Sequence, residues 1–486
     1  MAIRILQGDI HLIDLRTRLP FKYGIATMTR APQAFVRLQV EVDGHETVGI
    51  AADLLPPRWF TKVANQPLDQ EIDEMLEAID HAVAKSAGLA GPTAFDVWQR
   101  MFEAQDRWGR ERGFPPLLSQ FGTTLVERAL VEAFCRAAGR PFGYCLRANA
   151  LGLRLDEFDR RLAGKTPRDL LPPSPRRRII ARHTVGMADP LEDHDIAAPA
   201  RLDDGLPQSL AQCIRRYGLK HFKLKVAGVA DQDIDRLTRI AAVIGGNVSG
   251  KFSFTLDGNE SFRSLEAFRT YWESIERAPP LQPFLEKLMF VEQPFHRDVA
   301  LEPAVLSDLS AWQERPPLII DESDAELDSL PRALALGYHG TSHKNCKGVF
   351  KGVANACLLA ELRHRSNGNR LVMSGEDLAN IGPVALLQDL AVVASLGVSS
   401  VERNGHHYFA GLSAFPQSVQ EEVLFHHGDL YEKSPCGWPS LKIINGELCL
   451  DSIVDSPLGV GFELNVTQFT PRNQWSTANS LKDHRT

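Results

Sequence analysis

From Arg178 to about residue 422 the sequence repeats one unit eight times, a short apolar or β-branched run followed by a helical stretch. The runs are RIIARHTVG, HFKLKV, FSFTLDG, LMFVEQP, PLIIDES, GTSHKN, RLVMSGED and VSSVERN. Strands separated by helices pair in parallel, and eight such units close on themselves rather than leaving an open sheet. The expected fold class is α/β, a (β/α)8 (TIM-like) barrel over residues 179–422. GTSHKN is the weakest of the eight by pattern.

Residues 1–150 follow a different rule. ILQGDIHLIDLRTRL and FVRLQVEVDGHETVGIA alternate apolar and polar residues around Asp43-Gly44, a hairpin signal. Three helical patterns follow, and the last, TTLVERALVEAFCRAAG, stops at Gly139. This predicts an α+β unit over 1–150, joined to the barrel by a linker over 151–178 that is rich in Pro and Arg from about 164. The tail, 423–486, runs through LKIINGELCL and PLGVGFEL and is expected to pack back onto the first domain.

Composition narrows the function classes. A formal charge of −7 argues against a nucleic-acid partner, and Arg176-Arg177-Arg178 reads as part of a solvated linker. No apolar run reaches membrane-spanning length, and MAIRILQGDI lacks a signal-peptide layout, so no membrane partner and a cytoplasmic location are expected. The seven cysteines are odd in number and without CxxC spacing, which predicts buried thiols rather than a disulfide frame or zinc site.

Chemistry concentrates where the strand runs end. Asp257 lies 32 residues after Lys225, Glu292 lies 35 after Asp257, and Asp321 lies 29 after Glu292. Each gap fits one helix plus one strand, so successive strands deliver these groups to one rim of the barrel. One buried carboxylate is usually a salt bridge or a cap, whereas three at successive strand ends repel unless a cation neutralises them. All-oxygen ligation points to Mg²⁺, with Mn²⁺ as a substitute. Lys223 and Lys225 share one face of their strand. Beside a divalent cation each is expected to have a lowered pKa, suited to a general base, the competing reading being simple pairing with carboxylates. Lys344, at the sixth strand end, faces the second strand across the ring and is preferred to Lys347 and Lys351 because it comes first.

KLK, LDGN, VEQPF, IIDES, HKNCKG and MSGEDLANIGP together resemble the enolase superfamily, in its mandelate racemase/muconate lactonizing enzyme branch. VERALVEAFCRAAGRPFG is similar to the last helix of that family's capping domain, so the resemblance spans nearly the whole chain. It implies an α+β N-terminal capping domain completed by the C-terminal segment. It implies Asp257, Glu292 and Asp321 as metal ligands, Lys225 and Lys344 as opposed acid/bases, and Lys223 polarising a substrate carboxylate. The implied reaction abstracts the α-proton of a small-molecule carboxylate to form an enediolate. Epimerisation or racemisation, cycloisomerisation or syn-elimination would follow, in an isomerase or lyase that is a homo-oligomer. RLVMSGEDL carries no histidine, which favours the lysine–lysine type, and VERNGHHYFAG lacks the paired aspartates expected of dipeptide epimerases.

Candidate substrate contacts are Asn259 of DGN, Tyr23, Lys22, Arg30 and Trp59 in the early loops, and His406 and His407 after the eighth strand. Glu376 and Asp377 are candidates to hydrogen-bond Lys344 or substrate. Two alternatives remain open: an acid-sugar dehydratase using His406 or His407, and a catalytically silent carboxylate-binding protein on the same fold.

Overall fold

The structure is a computed structural model describing residues 2–63, 65–365 and 370–480. The N-terminal unit opens with an antiparallel meander, β1 (Ile3–Tyr23), β2 (Ala26–Val42) and β3 (His45–Leu54). One face of this sheet is covered by α1 (Leu68–Ser86), α2 (Ala94–Arg112) and α3 (Pro116–Ala138). α3 is buried on nearly every side, since it packs under β2 and β3, against α1 and α2, and onto the barrel. Its sequence accordingly has little polar face. The sheet can lie this close to α3 because Gly49 has no side chain: a Cβ there would sit 1.9 Å from Ala129 O.

Eight parallel strands follow: β4 (Arg178–Val185), β5 (His221–Lys225), β6 (Ser253–Asp257), β7 (Leu288–Glu292), β8 (Leu318–Ile320), β9 (Gly340–His343), β10 (Val372–Gly375) and β11 (Ser400–Arg403). They lie in chain order, and β11 pairs back onto β4 (Ser400 opposite Ile180), which closes the barrel. The weak GTSHKN run forms β9 and is fully buried. Its polar residues face partners, not solvent: Thr341 Oγ1 donates to Asp324 Oδ2 at 2.8 Å and Ser342 Oγ to Asp321 Oδ1 at 2.5 Å. That is why it lacks an apolar signature.

The tail divides between the two halves. Within LKIINGELCL, Glu447–Cys449 pairs antiparallel with the start of β4, so this run belongs to the barrel, contrary to expectation. Further along, the tail does reach the first unit: Pro457 O accepts from Phe142 N at 2.6 Å, Phe462 O accepts from Arg136 Nη2 at 2.9 Å, and Thr470–Pro471 lies beside His11 and Leu12 of β1, with Phe469 stacked 4.6 Å from Phe35. The arginine cluster is also less free than expected, because Arg177 pairs with Asp451 at 3.1 Å and Asp455 at 2.7 Å. Five cysteines are buried, while Cys436 and Cys449, both in the tail, are not. Among the described residues no helix is long and apolar enough to cross a membrane.

Candidate active site

At the C-terminal ends of the barrel strands, under the N-terminal unit, lies a narrow cleft. Its barrel side carries Lys223, Lys225, Asp257, Asn259, Asp321, Glu322, Lys344, Asp377, Glu402 and Asn404, and its roof carries Phe21, Tyr23, Met28, Pro56 and Trp59. Strand pairing sets the polar side: Lys225 is opposite Asp257, and Asp257 opposite Glu292. Asp321 stands one residue beyond β8, and Lys344 one beyond β9.

Two lysine–carboxylate groups result. Lys225 Nζ is 2.6 Å from Asp257 Oδ2. Four strands round the ring, Lys344 Nζ is 2.5 Å from Asp321 Oδ2 and 4.7 Å from the centre of the Trp59 ring. Lys347 does not line the cleft; it holds the other Asp321 oxygen at 2.9 Å, and Lys351 pairs with Asp324 at 2.8 Å. Deeper in the barrel, Lys223 Nζ contacts four carboxylates: Glu376 at 2.7 Å, Glu292 at 2.8 Å, Asp257 at 3.0 Å and Glu402 at 3.1 Å.

Burial and opposite charge compete here. Burial disfavours the Lys223 ammonium, but its four carboxylates outweigh that and hold its pKa well above the usual value. Lys344 is likewise raised, burial being overcome chiefly by Asp321. The expected lowering is therefore reversed for Lys223, because carboxylates dominate the local field. Burial raises Asp321, but Lys344 and Lys347 bring it well below the ordinary carboxylate range. Glu292 goes the other way, raised by burial and then by Glu376, Asp257 and Asp321 despite Lys223.

Asp257, Glu292 and Asp321 suit a hard divalent cation. All their donors are oxygen, Glu292 Oε1 is buried without a hydrogen-bond partner, and the electrostatic strain on Glu292 is of the kind a cation relieves. Lys225 and Lys344 hold the outer two, and the three do not bring oxygens within 4.8 Å of one another.

The remaining candidates separate. Tyr23 lines the cleft and donates its hydroxyl to Pro57 O at 2.7 Å. Trp59 is anchored from the barrel, where Arg297 Nη2 donates to Trp59 O at 2.9 Å and Nη1 to Phe60 O at 2.8 Å. Asn259 lines the cleft with a left-handed backbone (φ 44°). Lys22 and Arg30 are absent from the lining. Glu376 lies below the cleft against Lys223 and Arg182, not against Lys344, while Asp377 lines the cleft and pairs with Arg403 at 3.1 Å. His406 and His407 do not reach the cleft: the turn Gly405–Tyr408 carries them outside the barrel wall, where His406 Nε2 is 3.1 Å from His183 Nδ1. Arg182 and Glu402 were not foreseen, although each is a charge in the inward register of an apolar strand.

No family model matches the sequence, and no curated protein matches it. Solved structures do. The muconate lactonizing enzyme from Pseudomonas fluorescens complexed with muconolactone is similar at a TM-score of 0.59 with 17% identity, over 96% of this chain and 98% of that one. The N-succinyl Arg/Lys racemase from Bacillus cereus gives 0.60 with 14% identity, over 96% and 98%. An enolase from Bradyrhizobium complexed with magnesium and mandelic acid gives 0.55 with 13% identity, over 96% and 98%. The chain shares with all three a closed parallel barrel capped by an antiparallel sheet.

Proposed function

We propose that this chain is an enolase-superfamily enzyme that removes the α-proton of a small-molecule carboxylate, using Lys225 and Lys344 from opposite sides of the cleft. The carrying observation is the placement of these two ammonium groups: both line one cleft, four strands apart, each held by its own carboxylate. With one lysine as neutral amine and the other as ammonium, a substrate carbon between them can lose its proton to the amine and take a proton from the ammonium on the opposite face, which is racemisation or epimerisation. The same start leads to cycloisomerisation or elimination if a leaving or attacking group follows.

Lys223 brings positive charge to the carboxylate end of the substrate and keeps four acidic groups together. Asp257, Glu292 and Asp321 would hold Mg²⁺, or Mn²⁺, which supplies charge stabilisation to the enediolate form of the substrate. Trp59, Phe21, Met28 and Pro56 exclude water over the reacting carbon and favour an apolar substituent there. The dehydratase alternative loses its support, because His406 and His407 point away from the cleft.

The test is α-deuterium incorporation in D₂O with Mg²⁺ over a carboxylate library, in wild type, Lys225→Ala and Lys344→Ala. Exchange that requires Mg²⁺ and is altered by both substitutions is expected. Exchange indifferent to Lys344→Ala would overturn the two-lysine assignment.

A further inference from the structure

We propose that the buried cluster His183, Cys213 and His407 is a second metal site, for a transition ion of the zinc class. It is separate from the carboxylate cleft and does not depend on the function proposed above. On β4, Arg182 and Thr184 point inward to Glu376 and Glu402, so alternation turns His183 outward. There it meets Cys213 of α4 (Leu210–Tyr217) and His407 of the turn after β11. One ligand atom from each of the three lies within 4.8 Å of the others, and among the described residues no other group of three or more does so.

The spacing fits a tetrahedral ion. An imidazole nitrogen and a thiolate sulfur, about 2.1 and 2.3 Å from zinc, stand about 3.6 Å apart. His407 Nδ1 and Cys213 Sγ are 3.6 Å apart. One thiolate with two imidazoles is the donor set of borderline and soft ions, not of Mg²⁺.

The surroundings supply what such a site needs. Asp189 Oδ2 lies 4.0 Å from His407 Nε2, the nitrogen away from the thiol, too far for a hydrogen bond but near enough to act through its charge. Its single negative charge matches the +1 left by a dication and one thiolate. The carboxylate is steadied by Tyr408 Oη at 2.5 Å and Gly186 N at 2.7 Å. His406, whose Nε2 is 3.1 Å from His183 Nδ1, adds a further buried imidazole beside the cluster. On binding, the Cys213 S–H bond breaks, a sulfur–metal bond forms, and the proton leaves to solvent. No oxidant or reductant is involved.

The ion would join β4, α4 and the β11 turn at one point. Tyr408 stacks 4.0 Å from Phe21 in the cleft roof, and Arg18 of β1 donates to His407 O at 2.9 Å, so the same point braces the cap. The test uses the full chain with Zn²⁺ and with Co²⁺ as a spectroscopic probe. One tightly held Zn²⁺ per chain is expected, with a sulfur-to-cobalt charge-transfer band when Co²⁺ replaces it. Cys213→Ser, checked for folding by circular dichroism, is expected to lose the band and to weaken Zn²⁺ binding by more than about 100-fold. His407→Gln, which keeps the thiol, is expected to weaken it comparably. No charge-transfer band in wild type, or an unchanged band in Cys213→Ser, would reduce the cluster to a buried S–H···N hydrogen bond and overturn the proposal.

Discussion

Lys223 shows how one residue can be structural and chemical at once. Replaced by Met, it would leave Asp257, Glu292, Glu376 and Glu402 facing one another in the barrel interior, with Lys225 still on Asp257 and Arg182 still on Glu376. Removing one partner of a buried ion pair costs about 3–5 kcal/mol. The expected outcome for Lys223→Met is a loss of that size in urea unfolding, together with a larger Mg²⁺-induced rise in midpoint than wild type shows. Equal rises in both proteins would mean that the carboxylates do not act as one cation-binding group. Much at this scale was legible: Lys223, Lys225, Asp257, Glu292 and Asp321 each interrupt or end an apolar strand, and an ionisable side chain there has nowhere to go but the barrel mouth. Arg182 and Glu402 carry the same signal. His406 and His407 carry none, because a four-residue turn decides which side of the wall each ring takes. The His183, Cys213 and His407 cluster was equally hidden, since its members come from three elements with no local spacing.

At the scale of elements, glycines report how closely backbones approach. Gly49 and Gly245 make opposite predictions. A Cβ on Gly49 would meet Ala129 O at 1.9 Å and Ala133 N at 2.7 Å, backbone atoms that cannot swing away. Gly49→Ala is expected to destabilise by about 1–3 kcal/mol. Gly245, exposed in the helix Ala230–Asn247, has nothing within 4 Å of its Cβ position, so Gly245→Ala is expected to add about 0.5–1 kcal/mol by restricting the unfolded chain. Chemical denaturation of the pair checks both signs.

A second element-scale prediction concerns α5 (Val349–Arg365), whose first amides donate to Glu127 of α3, Val349 N at 3.1 Å and Phe350 N at 2.7 Å. Burial pushes Glu127 up to about 7 from an ordinary 4.5, against those hydrogen bonds. A carboxyl that keeps its proton longer when folded contributes stability fully below about 4.5, and that stability is lost as pH rises through about 7. Wild type is therefore expected to lose on the order of 3 kcal/mol relative to Glu127→Gln across that window. Parallel stability profiles for the two proteins would rule the effect out. The helices and strands themselves were readable from periodicity, but this cap was not, because helix and capping residue lie more than 200 positions apart.

For the whole molecule, the question is whether cap and barrel behave as one body. The cleft roof comes from the cap and the cleft floor from the barrel, so any loosening between them opens the site. Arg128 of α3 lies at this junction, 2.5 Å from Asp53 of β3 and fully buried. The barrel answers with Asn380, which donates to Asp53 Oδ1 at 2.8 Å and to Asp389 Oδ2 at 2.9 Å. Arg128→Leu leaves Asp53 buried without its cation, at a cost of about 3–5 kcal/mol. If the junction couples the two halves, that loss falls first on the cap. Hydrogen exchange should then show amides of β1–β3 opening well before those of β4–β11, whereas wild type opens both together. KM should rise more than kcat falls, since the lysines and carboxylates stay on the barrel. Removing the other charge as well, in Arg128→Leu with Asp53→Leu, should restore much of the stability, because no buried ion is then left unpaired. Uniform loss of protection across cap and barrel in the single variant would instead place the coupling elsewhere, in the apolar contact between α3 and the barrel.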